Sequence, residues 1–112
     1  MRKGIRVEQS NGNIFADIGL PNAEERLAKA DLAFRIAEAI RSRHMTQTKA
    51  ARALRIDQPK ISRLLRGQLS GFSAERLMHF LTLLGRDIEI VVKPIRRSRR
   101  RGRVSVVGVA DA

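Results

Sequence analysis

Cysteine, tryptophan and tyrosine are absent from this chain, and its 112 residues include only three prolines and four phenylalanines. Without cysteine there can be no disulfide, thiolate nucleophile or Cys-type zinc site, which fits a reducing compartment. With Phe15, Phe34, Phe72 and Phe80 as the only aromatics, the core must come largely from Leu, Ile and Ala, which favours helices. Uninterrupted apolar runs are short, far below the roughly 20 residues a membrane-spanning helix needs. No cationic-then-apolar leader opens the chain, so the expectation is a soluble, cytoplasmic protein with no membrane partner. Acidic residues are scarce as well. Lys and Arg number 23 against 11 Asp and Glu, a net charge of +12, and half of that excess lies in residues 93–112. Such a balance invites a polyanion, but charge alone leaves nucleic acid, an anionic membrane and the ribosome open as partners. The length suits one domain with one modest core.

Residues 1–21 read as an arm, with Gly4, Gly12 and Gly19 interrupting short apolar clusters and a turn expected at residues 10–13. A helix is expected from Asn22, whose spacing to Glu25 suits reciprocal capping. Leu27, Ala30, Phe34 and Ala37 give it an apolar stripe that Ala33, Ile36 and Ile40 widen, so this face is expected to be core. It should end near Arg43, where cations suit the negative end of the helix dipole. Thr46 can cap a second helix with Ala50, Ala51 and Leu54, and Asp57 a third with Ile61, Leu64 and Leu65. Gly67 can end the third in a left-handed conformation. Ser73 can cap a fourth with Leu77, Phe80, Leu81 and Leu84, which Gly85 stops. The period then changes to two: Ile88, Ile90 and Val92 alternate with Glu89, Val91 and Lys93, predicting a strand over residues 87–93. Residues 94–112 hold Arg96, Arg97, Arg99, Arg100, Arg101 and Arg103, and like charges at that density predict disorder until an anion binds. This tail is compatible with a solvated extension that adds non-specific affinity, with insertion into a DNA minor groove, or with membrane or ribosome binding.

Two short helices joined by a tight turn form a unit whose first helix crosses the DNA backbone and whose second enters the major groove. Close approach of the two needs a small side chain, which Ala51 supplies, and Leu54, Ile56, Ile61 and Leu65 supply the apolar contacts that set their angle. The opposite face is polar, with Gln58, Lys60, Ser62, Arg63 and Arg66. With Gln47, Thr48 and Pro59 these are the candidate DNA-binding residues. For the glutamines, the plainer alternative is two solvated residues at helix starts.

The stretch from Gln47 to Gly67 resembles the helix-turn-helix family of phage repressors, Cro proteins and their bacterial relatives, the Xre type. Gln47 opens the second helix, Ala51 is the small contact residue, and Leu54 and Ile56 flank the turn. Gln58 opens the recognition helix, which Ile61, Ser62, Leu65 and Gly67 complete. The resemblance implies that Gln47 binds a phosphate and braces Gln58, that Gln58 reads adenine, and that Arg63 reaches base edges. The chain departs from the family pattern at two positions. Arg55 stands where glycine is usual, at a cost of roughly 1 kcal/mol for a left-handed L-residue, which predicts an adjusted turn. Pro59 stands where many relatives carry a polar reader, though a missing N–H is tolerated in the first turn. A wider stretch, with Gly12-Asn13-Ile14-Phe15-Ala16-Asp17, Leu20-Pro21-Asn22-Ala23-Glu24-Glu25 and Leu69-Ser70-Gly71-Phe72-Ser73, is similar to HigA-like antitoxins. That resemblance implies a RelE-like messenger RNA ribonuclease as toxin partner and autorepression of a shared operon.

His44 and His79 have no carboxylate neighbours at ligand spacing, so surface or capping roles are expected and no metal is. No grouping of Ser, His and acid suggests catalysis, and Ser62 is better explained by a phosphate contact. The expected architecture is mainly α: a four-to-five-helix repressor-like domain over residues 22–86, with no cofactor. A dimerisation strand over residues 87–93 would pair about a two-fold axis through Ile88, Ile90 and Val92, because a lone strand leaves its backbone unpaired and the other candidate in this chain, the arm near Ile5 and Val7, is short and broken by Gly4. Such a homodimer implies a palindromic operator. A stand-alone repressor and an RNA- or ribosome-binding basic protein are the alternative functions.

Overall fold

Helices begin here where a short polar side chain can take a free backbone N–H. The computed structural model describes residues 22–96 and 99–109, among which lie helices α1 (Asn22–Ser42), α2 (Gln47–Leu54), α3 (Gln58–Leu65) and α4 (Ala74–Leu83). Thr46 Oγ1 accepts from the Lys49 N–H at 3.1 Å, Asp57 Oδ1 from Lys60 at 2.9 Å and Ser73 Oγ from Arg76 at 3.1 Å. Each bond satisfies one of the donors that a helix start leaves free, a contribution of about 1 kcal/mol. Asn22, expected to cap α1, is its first helical residue. The arm, its expected turn and the motif at residues 12–17 lie outside the described residues.

The helix ends share one device. After α1, the Met45 N–H reaches back to the Ile40 carbonyl and the His44 N–H to that of Arg41. The same pair of bonds recurs around Arg55, Gly67 and Gly85, and all four central residues have positive φ. This is the left-handed C-terminal motif in which glycine is usual. The turn between α2 and α3 is therefore kept rather than adjusted: Arg55 takes φ 60° and ψ 42°, accepting the strain in place.

The core forms mainly where α1 packs on α4, with α2 and α3 closing one end. From α1 come Ala28, Leu32, Ala33, Ile36, Ala39 and Ile40, and they meet Phe72, Leu77, Phe80, Leu81 and Leu84. Phe72 and Phe80 pack edge to face with ring centroids 6.0 Å apart, a favoured geometry for aromatic pairs. The stripe expected on α1 needs correction. Ala33, Ile36 and Ile40 are buried, but Leu27 is 69% exposed and Phe34 52%. Apolar residues surround much of this long helix, so spacing alone did not select a side. The partners on α4 selected the stripe through Ala28, Leu32, Ile36 and Ala39.

Among the described residues there is no strand. Residues 87–93 carry no assigned element, and Ile88, Ile90 and Val92 are 38%, 55% and 79% exposed. Alternation specifies an extended chain, but a strand exists only when another strand pairs with it, and this segment has no backbone bond to any other described residue. Part of the basic tail lies against the body. Arg101 pairs with Glu24 at 3.0 Å, the Val104 N–H donates to Glu24 Oε2 at 2.7 Å, and Val104 and Val106 pack against the core.

Candidate nucleic-acid interface

α2 and α3 are held at their angle from the inside. Ala50, Ala51 and Leu54 of α2 and Ile61 and Leu64 of α3 are all buried, with Ile56 and Leu65 partly buried beside them. The small side chains of Ala50 and Ala51 let the two helices approach closely, which fixes the direction of α3. Pro59 lies in the first turn of α3, where its missing N–H removes no helical bond.

Successive residues of a helix are about 100° apart around its axis. Gln58, Pro59, Ser62, Arg63 and Arg66 therefore share one face of α3, opposite Ile61 and Leu64. All five are exposed except Ser62, which is half buried. The side chains of Gln58, Arg63 and Arg66 make no hydrogen bond or ion pair with any described residue, so their donors and acceptors remain available. Lys60 falls outside this face, beside Leu64, and is half buried. It is the one candidate on α3 that the helix places apart from the others.

On α2, Thr48 is exposed. Gln47 is exposed too, at the mouth of a cleft lined by Ala37, Ile40, Arg41, Met45 and Leu65. It makes no hydrogen bond to Gln58, so the expected brace between the two glutamines is not formed. Arg41, in the last turn of α1 and absent from the sequence-based candidates, lines the same cleft. The turn through His44 brings the start of α2 to this cleft.

The surface therefore combines one exposed helix face, rich in amide and guanidinium donors, with further cations on the helices beside it. Lys49, Arg52 and Arg55 are exposed on and after α2. Such donors suit phosphate oxygens and base edges. No helix among the described residues is long and apolar enough to cross a membrane.

Comparison with known proteins agrees with this geometry. A family model described as a helix-turn-helix domain matches residues 14–93. A solved structure whose description places it among XRE family transcriptional regulators is 45% identical, with a TM-score of 0.75, over 80% of this chain and 100% of its own. Comparison with curated proteins finds no match.

Proposed function

This chain belongs to the XRE family of helix-turn-helix proteins, and from that premise we propose that it regulates transcription by sequence-specific binding to double-stranded DNA, without catalysis. The observation that carries this reading is the exposed, unpartnered face of α3 at Gln58, Arg63 and Arg66, held rigidly outward by buried Ile61 and Leu64. Arg suits guanine O6 and N7, and Gln suits adenine N6 and N7. Gln47, Thr48, Ser62 and Arg41 would contact phosphates around the groove.

The protein acts as a homodimer in this reading, and residues 87–93 supply the contact. Their backbone has no partner among the described residues, and this together with exposed Ile88, Ile90 and Val92 suits antiparallel pairing with the same segment of a second copy. An unprotected apolar edge of this kind is otherwise an aggregation hazard. Two recognition helices would then meet half-sites about 34 Å apart on a palindromic operator.

The finer role is that of an antitoxin and autorepressor whose partner is a RelE-like ribonuclease. Its support is the similarity of residues 12–17, 20–25 and 69–73 to HigA-like antitoxins, and an adjacent reading frame for a small basic ribonuclease that co-purifies with the chain would test it. Absence of such a frame would leave a stand-alone repressor. The DNA reading is tested by selection from a random duplex pool, which should enrich a palindromic site. A pool that stays random would refute sequence-specific binding.

A further inference from the structure

The C-terminal segment meets α1 at a series of points that fit one another. Glu24 receives it at two: Oε1 takes the Arg101 guanidinium at 3.0 Å and Oε2 the Val104 N–H at 2.7 Å. From there the chain is extended, and the side chains of an extended chain alternate. Val104 and Val106 are half buried against the core, while Arg103, Ser105 and Val107 are exposed. The alternation stops at Gly108, which is exposed, with the Arg35 guanidinium close over it: a Cβ there would lie 2.5 Å from that flexible group, which would have to move aside. Glu24 and Arg35 are eleven residues apart, about 17 Å along α1. Four extended residues from Val104 to Gly108 cover about 13 Å, and the Arg35 side chain leans back toward the start of its helix to meet them.

We propose that residues 101–108 are a strap received by a groove on α1 between Glu24 and Arg35, and that its seating holds Arg99, Arg100 and Arg103 against the body as a second nucleic-acid phosphate-binding surface. Only Arg101 is neutralised by Glu24. Arg100 and Arg103 are exposed and Arg99 is half buried, and none of the three has a carboxylate partner among the described residues. Cations already ordered on the protein lose less conformational freedom when they meet phosphates than cations on a free tether. The surface binds backbone and carries no sequence information. This inference rests on the DNA-binding reading above.

The test uses the full-length chain and two variants outside the buried core, Val106→Ser and Glu24→Lys, each checked for unchanged helical circular dichroism. Trypsin cleavage after Arg101 and Arg103 should be at least several-fold faster in both variants, because an apolar contact of the strap or its anchoring charge-assisted bond is lost. Random duplex DNA at fixed salt should bind Val106→Ser, which changes no charge, several-fold more weakly; Glu24→Lys frees Arg101 and adds a cation, so it serves the cleavage measurement alone. The salt dependence of Val106→Ser should be unchanged, since the same arginines neutralise the same phosphates. Equal cleavage of wild type and variants would overturn the strap. Faster cleavage of Val106→Ser with undiminished DNA affinity would overturn the phosphate surface. Wild-type protein that binds no DNA would sink that surface together with the function it rests on, while the trypsin result would still decide the strap.

Discussion

Arg55 ends α2 in the same left-handed conformation in which Gly67 ends α3, with φ of 60° and 80°. The two residues carry equivalent backbone bonds: Ile56 reaches back to Ala51 at 3.0 Å and Gln68 to Arg63 at 2.9 Å. One position bears a Cβ in a region that disfavours it, and the other does not.

Replacing Arg55 by glycine should therefore stabilise the fold by up to about 0.5 kcal/mol, the relief of the left-handed strain less the greater entropy of an unfolded glycine. His44, at φ 54° after α1, should respond in the same direction. Urea unfolding of Arg55→Gly measures the change, and a loss of stability would mean that the arginine side chain contributes more than its backbone costs.

Ala51 is 6% exposed and lies where α2 meets α3. Ala51→Leu should cost about 1 to 3 kcal/mol by forcing the helices apart. Thermal unfolding measures this directly. A variant as stable as the wild type would show that the contact has room and does not set the angle of α3.

Pairing through residues 87–93 predicts a dimer at micromolar concentrations. Ile90→Pro removes a backbone donor from the pairing edge and should leave a monomer that folds normally and loses most of its operator affinity. Light scattering distinguishes the two states. A wild-type monomer would rule out this dimer.

The arginine tail should steepen the salt dependence of DNA binding by about 0.9 per phosphate neutralised. A chain ending at Pro94 should show a shallower slope and keep its sequence preference. An unchanged slope would show that the tail does not touch DNA.

Local chemistry made much of this fold legible in the sequence. Thr46, Asp57 and Ser73 are caps that act within three residues, and Gly67 and Gly85 end their helices through their own φ, so none of them needs knowledge of the rest of the chain. The outward face of α3 followed from helical spacing and the apolar pair Ile61 and Leu64. What escaped depends on contacts distant in sequence. The inward side of α1 was set by Leu77, Phe80 and Leu81, so Leu27 and Phe34 were placed on the wrong face. The tail's arginines suggested only repulsion, because Glu24 is 77 residues from Arg101.

The central claim is that α3 reads base edges through Gln58 and Arg63, and competition between operator and random duplex at one salt concentration tests it most directly. Gln58→Ala and Arg63→Ala should each weaken operator binding by roughly 1 to 3 kcal/mol and leave the affinity for random DNA nearly unchanged. Equal losses on operator and random DNA would contradict the claim and reduce both residues to phosphate contacts.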